Sequence, residues 1–330
     1  MAKNSQRITR QTDKIISYTS RELLKSYNAA LKDVRAELSR LYEIYRAEGE
    51  LTKAQATQFL RKSNIEAEIV RVMEPYLAAN EQLLKEVSEV SFNRSFFGNA
   101  WAVEQAVGVD LKWGLLSDNA VRAAIGLSDD YASLEGLMSA SEVKKHASII
   151  DKAFKNYSID SRKWIGREVS QAVIKGESVS KVAKRLKKSG IAKSYNSAMR
   201  IARTEVLRST GLGGQIAYDD ALDKGVRIKQ VWDATLDENT RPDHAELDGA
   251  VMENGVFSTA AGDIPGPRRS GDPAFDINCR CTVRPEVDGF SPEVRRIRGE
   301  GIQPYKTFKE WAADKGTLKN KYGQKYNFLD

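Results

Sequence analysis

Between residues 5 and 47 the chain carries an unbroken helical period. Apolar side chains recur at Ile16, Leu23, Leu24, Tyr27, Leu31, Val34, Leu38, Leu41 and Tyr45, at the three-, four- and seven-residue steps that share one face of an α-helix. No proline interrupts the run, and Gly49 follows it as a stop. Thr52 then reads as an N-cap for a short helix over 53–60. A second long helix is expected from about 64 towards 97, with a kink at Pro75. Two such helices must bury their apolar faces, either on each other as a hairpin or on a partner helix. That excludes an all-β architecture for this part of the chain.

The stretch 98–135 is mixed, with Trp101 and Trp113 as core or interface anchors. Helices are expected again over 141–157, 161–175, 178–188 and 194–224, each opening near a serine, a favoured N-cap. Gly176, Gly190 and Gly225 stand where helices should end. Gly211-Leu212-Gly213-Gly214 falls inside a helical pattern and reads as a bend or a close helix crossing. From 226 to 232 apolar and polar residues alternate, as do 279–283, which predicts two strands. A Gly/Pro/Asp-rich loop separates them over 237–278. The expected fold is α+β and predominantly helical. A long N-terminal helical hairpin (1–135) precedes a compact α+β domain with a small sheet (139–290). A polar, basic tail (291–330) follows, with one short helix at 305–314 around Trp311.

Composition narrows the function. The chain has 330 residues, 41% hydrophobic and 29% charged, which suits a globular protein and not a low-complexity one. No apolar run approaches the ~18–20 residues of a membrane helix. The first residues are polar and lack a signal-peptide core. The expectation is a protein that is made in a cytoplasm and stays there or leaves it by assembly into something larger, with no membrane partner. The two cysteines, Cys279 and Cys281, are too few for a disulfide scaffold. The sequences G-x-x-x-x-G-K-[ST], H-E-x-x-H and G-x-S-x-G do not occur, so neither a P-loop motor nor the common hydrolase motifs are expected.

Three segments stand out together. One is Arg203-Thr204-Glu205 on a helix. The second is Trp232, followed by Thr240-Arg241-Pro242-Asp243-His244 and Asp248-Gly249. The third is Asn278-Cys279-Arg280-Cys281. In this order and spacing, over about 195–285, they resemble the phage Mu protein F-like family of minor head proteins, also called head morphogenesis proteins. Trp311 looks like the tryptophan that often trails this domain. The resemblance implies a structural, non-enzymatic component of a tailed double-stranded DNA phage or prophage. It would reside in the virion, in the head interior or portal region, with portal protein and capsid or scaffolding protein as partners. It also implies that Arg203, Glu205, Trp232, Arg241, Asp248, Gly249 and Asn278 are motif positions. The variable N-terminal helices would dock on a partner.

The residues also have a chemistry of their own. Two cysteines on one face of a strand and the imidazole of His244 could chelate zinc, with Asp237 (or Asp243 or Asp248) as a fourth ligand. The same residues could form a buried hydrogen-bonded knot, or a Cys–His nucleophile. A metal-dependent hydrolase or nuclease-like enzyme built on His244, Cys279 and Cys281 is therefore the alternative function. Thr240 reads as the cap of a helix starting at Pro242, and Glu205 can pair with Arg208, while Arg203 or Glu205 could reach the Asp237/Arg241 loop. The chain carries a net charge of +7. Between 178 and 208, nine Lys/Arg face one acid. Lys181, Lys184, Arg185 and Lys188 share a helix face that could hold duplex DNA by its phosphates without reading bases. A host-side DNA-binding prophage factor is the remaining alternative.

Overall fold

The apolar row of the first segment is realised as one helix, α1 (Ala2–Arg46). Its inward row is Leu23, Tyr27, Ala30, Val34, Leu38 and Leu41, each 5% exposed or less. Each large aliphatic member contributes roughly 1.5–3 kcal/mol through burial. Ala30 replaces Leu31 in the row, and Leu24 points outward at 50% exposure. The computed structural model describes residues 2–46, 65–113, 116–134, 140–175, 177, 179–287, 293–297, 300–307 and 310. The short helix expected over 53–60 and Trp311 lie outside the described residues.

Helix α2 (Ile65–Val107) continues through Pro75 and runs ten residues beyond the expected end. It lies antiparallel to α1: Asp33 accepts a hydrogen bond from Tyr76, and Ile8 lies against Gly98. The short α3 (Asp118–Ala124) is capped by Ser117, whose hydroxyl accepts from Ala120 N–H. The two helices expected over 141–157 and 161–175 are one, α4 (Ala140–Ile174). Nothing between Tyr157 and Ser161 breaks a helix, and Ser161 is no cap, because its hydroxyl hydrogen-bonds Ser194 at 2.7 Å. Helix α5 (Val179–Lys188) leads directly into α6 (Gly190–Asp223). Gly190 opens α6 instead of closing α5. A Cβ there would stand 3.3 Å from the backbone of Trp164 and Ile165, so the junction needs glycine to sit on α4.

The remaining chain is short elements. Strand β1 (Ile228–Asp233) pairs antiparallel with β4 (Thr282–Val287), with Trp232 opposite Val283. Between them lie α7 (Pro242–Glu246), the hairpin β2 (Phe257–Thr259) and β3 (Gly262–Ile264), and α8 (Pro273–Asp276). Cys279 and Cys281 precede β4 and are not on a strand. The tail region contains a hairpin that alternation alone did not reveal, β5 (Val294–Ile297) and β6 (Gly301–Pro304). Ile297, 2% exposed, belongs to the core of the small sheet. The fold is α+β and mostly helical.

Contacts group the chain into two compact units. One comprises residues 16–86 and 150–202, the other residues 1–15, 87–149 and 203–330. Helices α1, α2, α4 and α6 therefore each contribute to both. The all-helical unit closes around a neutral hydroxyl network. Tyr27 Oη lies 2.5 Å from Tyr157 Oη and 2.7 Å from Ser194 Oγ. Asn80 Nδ2 donates to Tyr157 Oη at 3.3 Å. Burial, and then the neighbouring Tyr157, pushes the Tyr27 phenol well above its ordinary range.

In the second unit, Phe92, Phe96 and Ala100 of α2 pack with α3 and with Leu212 and Ile216 of α6. Gly213 makes this crossing close: a Cβ there would sit 2.4 Å from the carbonyl oxygen of Phe92. The glycine cluster is thus a helix crossing, and α6 runs through it. Trp113 packs on this cluster, whereas Trp101 is 50% exposed.

Candidate functional site

Strand β1 carries Trp232 one residue before its end; this side chain is fully buried and meets His244, Phe257 and Phe275 edge-on. The chain then loops to α7 and returns through Asp248-Gly249. Gly249 adopts φ +88, a left-handed conformation that favours glycine. Its N–H donates to Trp232 O, and Trp232 N–H donates to Ala250 O. The Asp248 carboxylate accepts from Ala234 N–H at 2.8 Å. Asp248 and Gly249 therefore fix the end of β1, and neither approaches His244 as a partner. Asn278, at φ +59, makes the turn that follows α8.

Pro242 occupies the first turn of α7, but the cap is Arg241, which makes no side-chain capping bond. Thr240 instead donates to Thr235 O, which closes the preceding loop. His244 of α7 meets Cys279 and Cys281 from the segment before β4. His244 Nδ1 lies 3.4 Å from each sulfur. The three potential ligand atoms lie within 4.8 Å of one another. His244 is 1% exposed and the cysteines 2%. The imidazole lies 4.1 Å, centroid to centroid, from the Phe275 ring, and its Nε2 has no hydrogen-bond partner among the described residues.

Burial opposes either thiolate. At Cys279 it is outweighed by hydrogen bonds from Cys281 and His244 and by the Arg268 charge, which hold that thiol well below its ordinary range. At Cys281, burial and then the neighbouring Cys279 push the thiol well above it.

Asp237 is not part of this group. Its carboxylate pairs with Arg280 and accepts from Asn239 N–H at 2.8 Å. Desolvation works against the Arg280 charge, but the Asp237 carboxylate overrides it and raises the Arg280 pKa. Arg241 donates to the carbonyls of Phe275 and Ile277, which ties α7 to α8. Glu205 and Arg208 pair at 2.7 Å, both nearly buried, and Arg208 also donates to Ile125 O. Neither Arg203, which is exposed, nor Glu205 reaches the Asp237 loop. Among these residues the structure brings only His244, Cys279 and Cys281 into one constellation.

Arg268 was not singled out by the sequence. It is 2% exposed, in a left-handed conformation at φ +64. Its Nη1 donates to Cys279 O at 3.1 Å and Cys281 O at 2.6 Å, and its Nη2 to Leu207 O at 2.9 Å. It plugs the Gly/Pro-rich loop into the core. Nothing in its spacing marks it as buried; the Arg268-Arg269 doublet inside a turn-rich stretch whose nearest other charges are aspartates is the one signal.

On α5, Lys181, Lys184 and Lys188 are exposed. Arg185 shares their face but is half-buried. It pairs with Glu168 at 3.0 Å and Glu177 at 3.1 Å, and so ties α5 to α4.

The family described as phage Mu protein F like protein matches residues 163–284. The chain is 27% identical over 326 residues to Minor head protein GP7 of Bacillus phage SPP1, covering 94% of this chain and 97% of that protein. It is 27% identical over 315 residues to NAD(+)--arginine ADP-ribosyltransferase EFV of Enterococcus faecalis, covering 94% of this chain but 60% of that longer protein. It is also 30% identical over 120 residues to an uncharacterized protein of Haemophilus influenzae, 36% of this chain and 24% of that one. No solved structure matches the chain significantly.

Proposed function

We infer that this chain is a head morphogenesis protein of a tailed double-stranded DNA phage or prophage, a reading supported by the match of residues 163–284 to the family described as phage Mu protein F like protein. The observation that carries this is the end-to-end likeness to a minor head protein, 94% of this chain against 97% of that relative. The likeness to the transferase leaves the rest of that protein unmatched, so its activity is not carried over. A structural role fits the site. Its imidazole and thiols are 1–2% exposed and offer no surface for a substrate. A cleft of about 490 Å³ lies elsewhere, along α1 and α2, lined by Asp33, Glu37, Arg40, Val72 and Tyr76. No described helix is long and apolar enough to cross a membrane.

In this reading the protein joins the portal region during procapsid assembly and is retained in the virion. The exposed Lys181, Lys184 and Lys188 of α5 contact packaged DNA through phosphates. Arg185 is excluded from that contact by its two glutamates. A producing strain lacking the gene should yield few infectious particles and be restored by the wild-type gene. Normal particle yield without the gene would overturn the reading. For the DNA contact, Lys181/Lys184/Lys188→Gln should weaken duplex binding at low salt and reduce the salt slope by up to about 3. An unchanged slope removes this face from the account.

A further inference from the structure

The His244, Cys279 and Cys281 cluster does nothing in the head-assembly reading, and its geometry calls for a separate cause. Both sulfurs stand 3.4 Å from the same nitrogen, Nδ1. An imidazole nitrogen has one proton to give or one lone pair to offer. A hydrogen-bonded knot therefore engages one sulfur through Nδ1 and has to satisfy the other through the first sulfur. A shared cation has a role for all three. With Zn–S near 2.3 Å and Zn–N near 2.0–2.1 Å in a tetrahedron, the S···N edge is about 3.5 Å. The two observed separations fall close to that edge.

The surroundings point the same way. Phe275 and Trp232 hold the imidazole from two sides. Arg268 grips the carbonyls of both cysteines, which fixes the backbone from which both sulfurs project. The nearby carboxylates are used elsewhere, Asp237 by Arg280 and Asp276 by Ser270 and Gly271. Two thiolates and a neutral imidazole suit a soft-accepting divalent ion and not magnesium or calcium. Two thiolate charges also cancel a divalent one, so the ion and its three ligands are together neutral beside the buried Arg268 guanidinium.

We propose that His244 Nδ1 and the thiolates of Cys279 and Cys281 bind one zinc ion as a structural centre. Each thiol gives its proton to solvent as the ion binds. The ion ties α7 to the segment entering β4, across 35 and 37 residues of chain. The proposal is independent of the head-assembly reading, since a zinc-stabilised fold is compatible with any partner.

The test uses the full-length chain, purified without a metal-affinity step from zinc-supplemented culture. Elemental analysis should find one zinc per chain. Replacement by cobalt should give a thiolate-to-cobalt charge-transfer band with an intensity for two sulfurs. A strong chelator should lower the melting temperature, and zinc should restore it. Cys281→Ser should lose at least tenfold in zinc affinity. A core variant can lose its fold for unrelated reasons, so the wild-type chain carries the decisive reading. Zinc-loaded wild type that retains no stoichiometric metal after dialysis, gives no cobalt–thiolate band and melts unchanged in chelator overturns the proposal.

Discussion

The two compact units solve the same burial problem with different materials. The unit of residues 16–86 and 150–202 is long helices whose apolar rows interlock, with one neutral polar network of Tyr27, Tyr157, Ser194, Ser161 and Asn80 at the centre. Within the other unit, residues 226–287 contain little regular structure, and side chains bonded to backbone carbonyls hold it together. Arg268 binds three carbonyls and Arg241 two. The difference is one of redundancy. A helix row loses one contact in many when a side chain is changed. A loop plugged by one guanidinium loses its anchor, and the carbonyls left behind are buried without donors.

The sharpest way to break this comparison is Arg268→Ala. It should cost roughly 3–4 kcal/mol, because several buried acceptors lose charged donors at once. Denaturant unfolding measures it, and hydrogen exchange should show the loss concentrated over 257–283. Arg268→Lys should not restore it, since an ammonium cannot span three divergent carbonyls. A loss under 1 kcal/mol would mean that the loop does not depend on this plug.

Gly213→Ala is next, at about 2–3 kcal/mol. The new methyl would meet the Phe92 carbonyl, so α2 and α6 must separate. Gly225→Ala, which meets nothing within 4 Å but sits at φ +84, is the control: it should show backbone strain without loss of the helix contact. Equal near-ultraviolet circular dichroism changes in the two variants would contradict that distinction.

Tyr27→Phe should cost about 1 kcal/mol, the net value of a typical buried hydrogen bond. It also has a pH signature. The folded-state phenol is raised above its unfolded value, so its contribution is fully present below pH ~10 and is lost as pH rises beyond that, where only the unfolded chain ionises. The alkaline limb of the stability curve should be shallower in the variant. Identical limbs would mean that the network does not hold Tyr27 neutral. Smallest of all, Lys181/Lys184/Lys188→Gln should leave stability within about 0.5 kcal/mol of wild type, because these side chains are exposed.

The same contrast decides what was legible in the sequence. The row from Leu23 to Leu41 was readable because one spacing rule governs every member. The fusion of two expected helices into α4 was not, because Ser161 looks like a cap until Ser194 is seen opposite it. Around the site, residue types were readable and pairings were not. His244, Cys279 and Cys281 are recognisable as a group by residue type, but nothing in the sequence shows that Arg280 takes the Asp237 carboxylate. Helical spacing sets Arg185 beside the outward lysines, and only the tertiary structure shows Glu168 and Glu177 pairing with it. Arg268 is not legible because a charged residue in a turn-rich segment ordinarily faces water, and only the tertiary carbonyls reveal the exception.

The central claim is that this chain is built into a phage head. Quantitative mass spectrometry of purified DNA-filled heads released by the source strain tests that claim directly. The account predicts a few copies per particle at a fixed ratio to the portal protein. Absence from the heads, with the chain abundant in the producing cells, would contradict it.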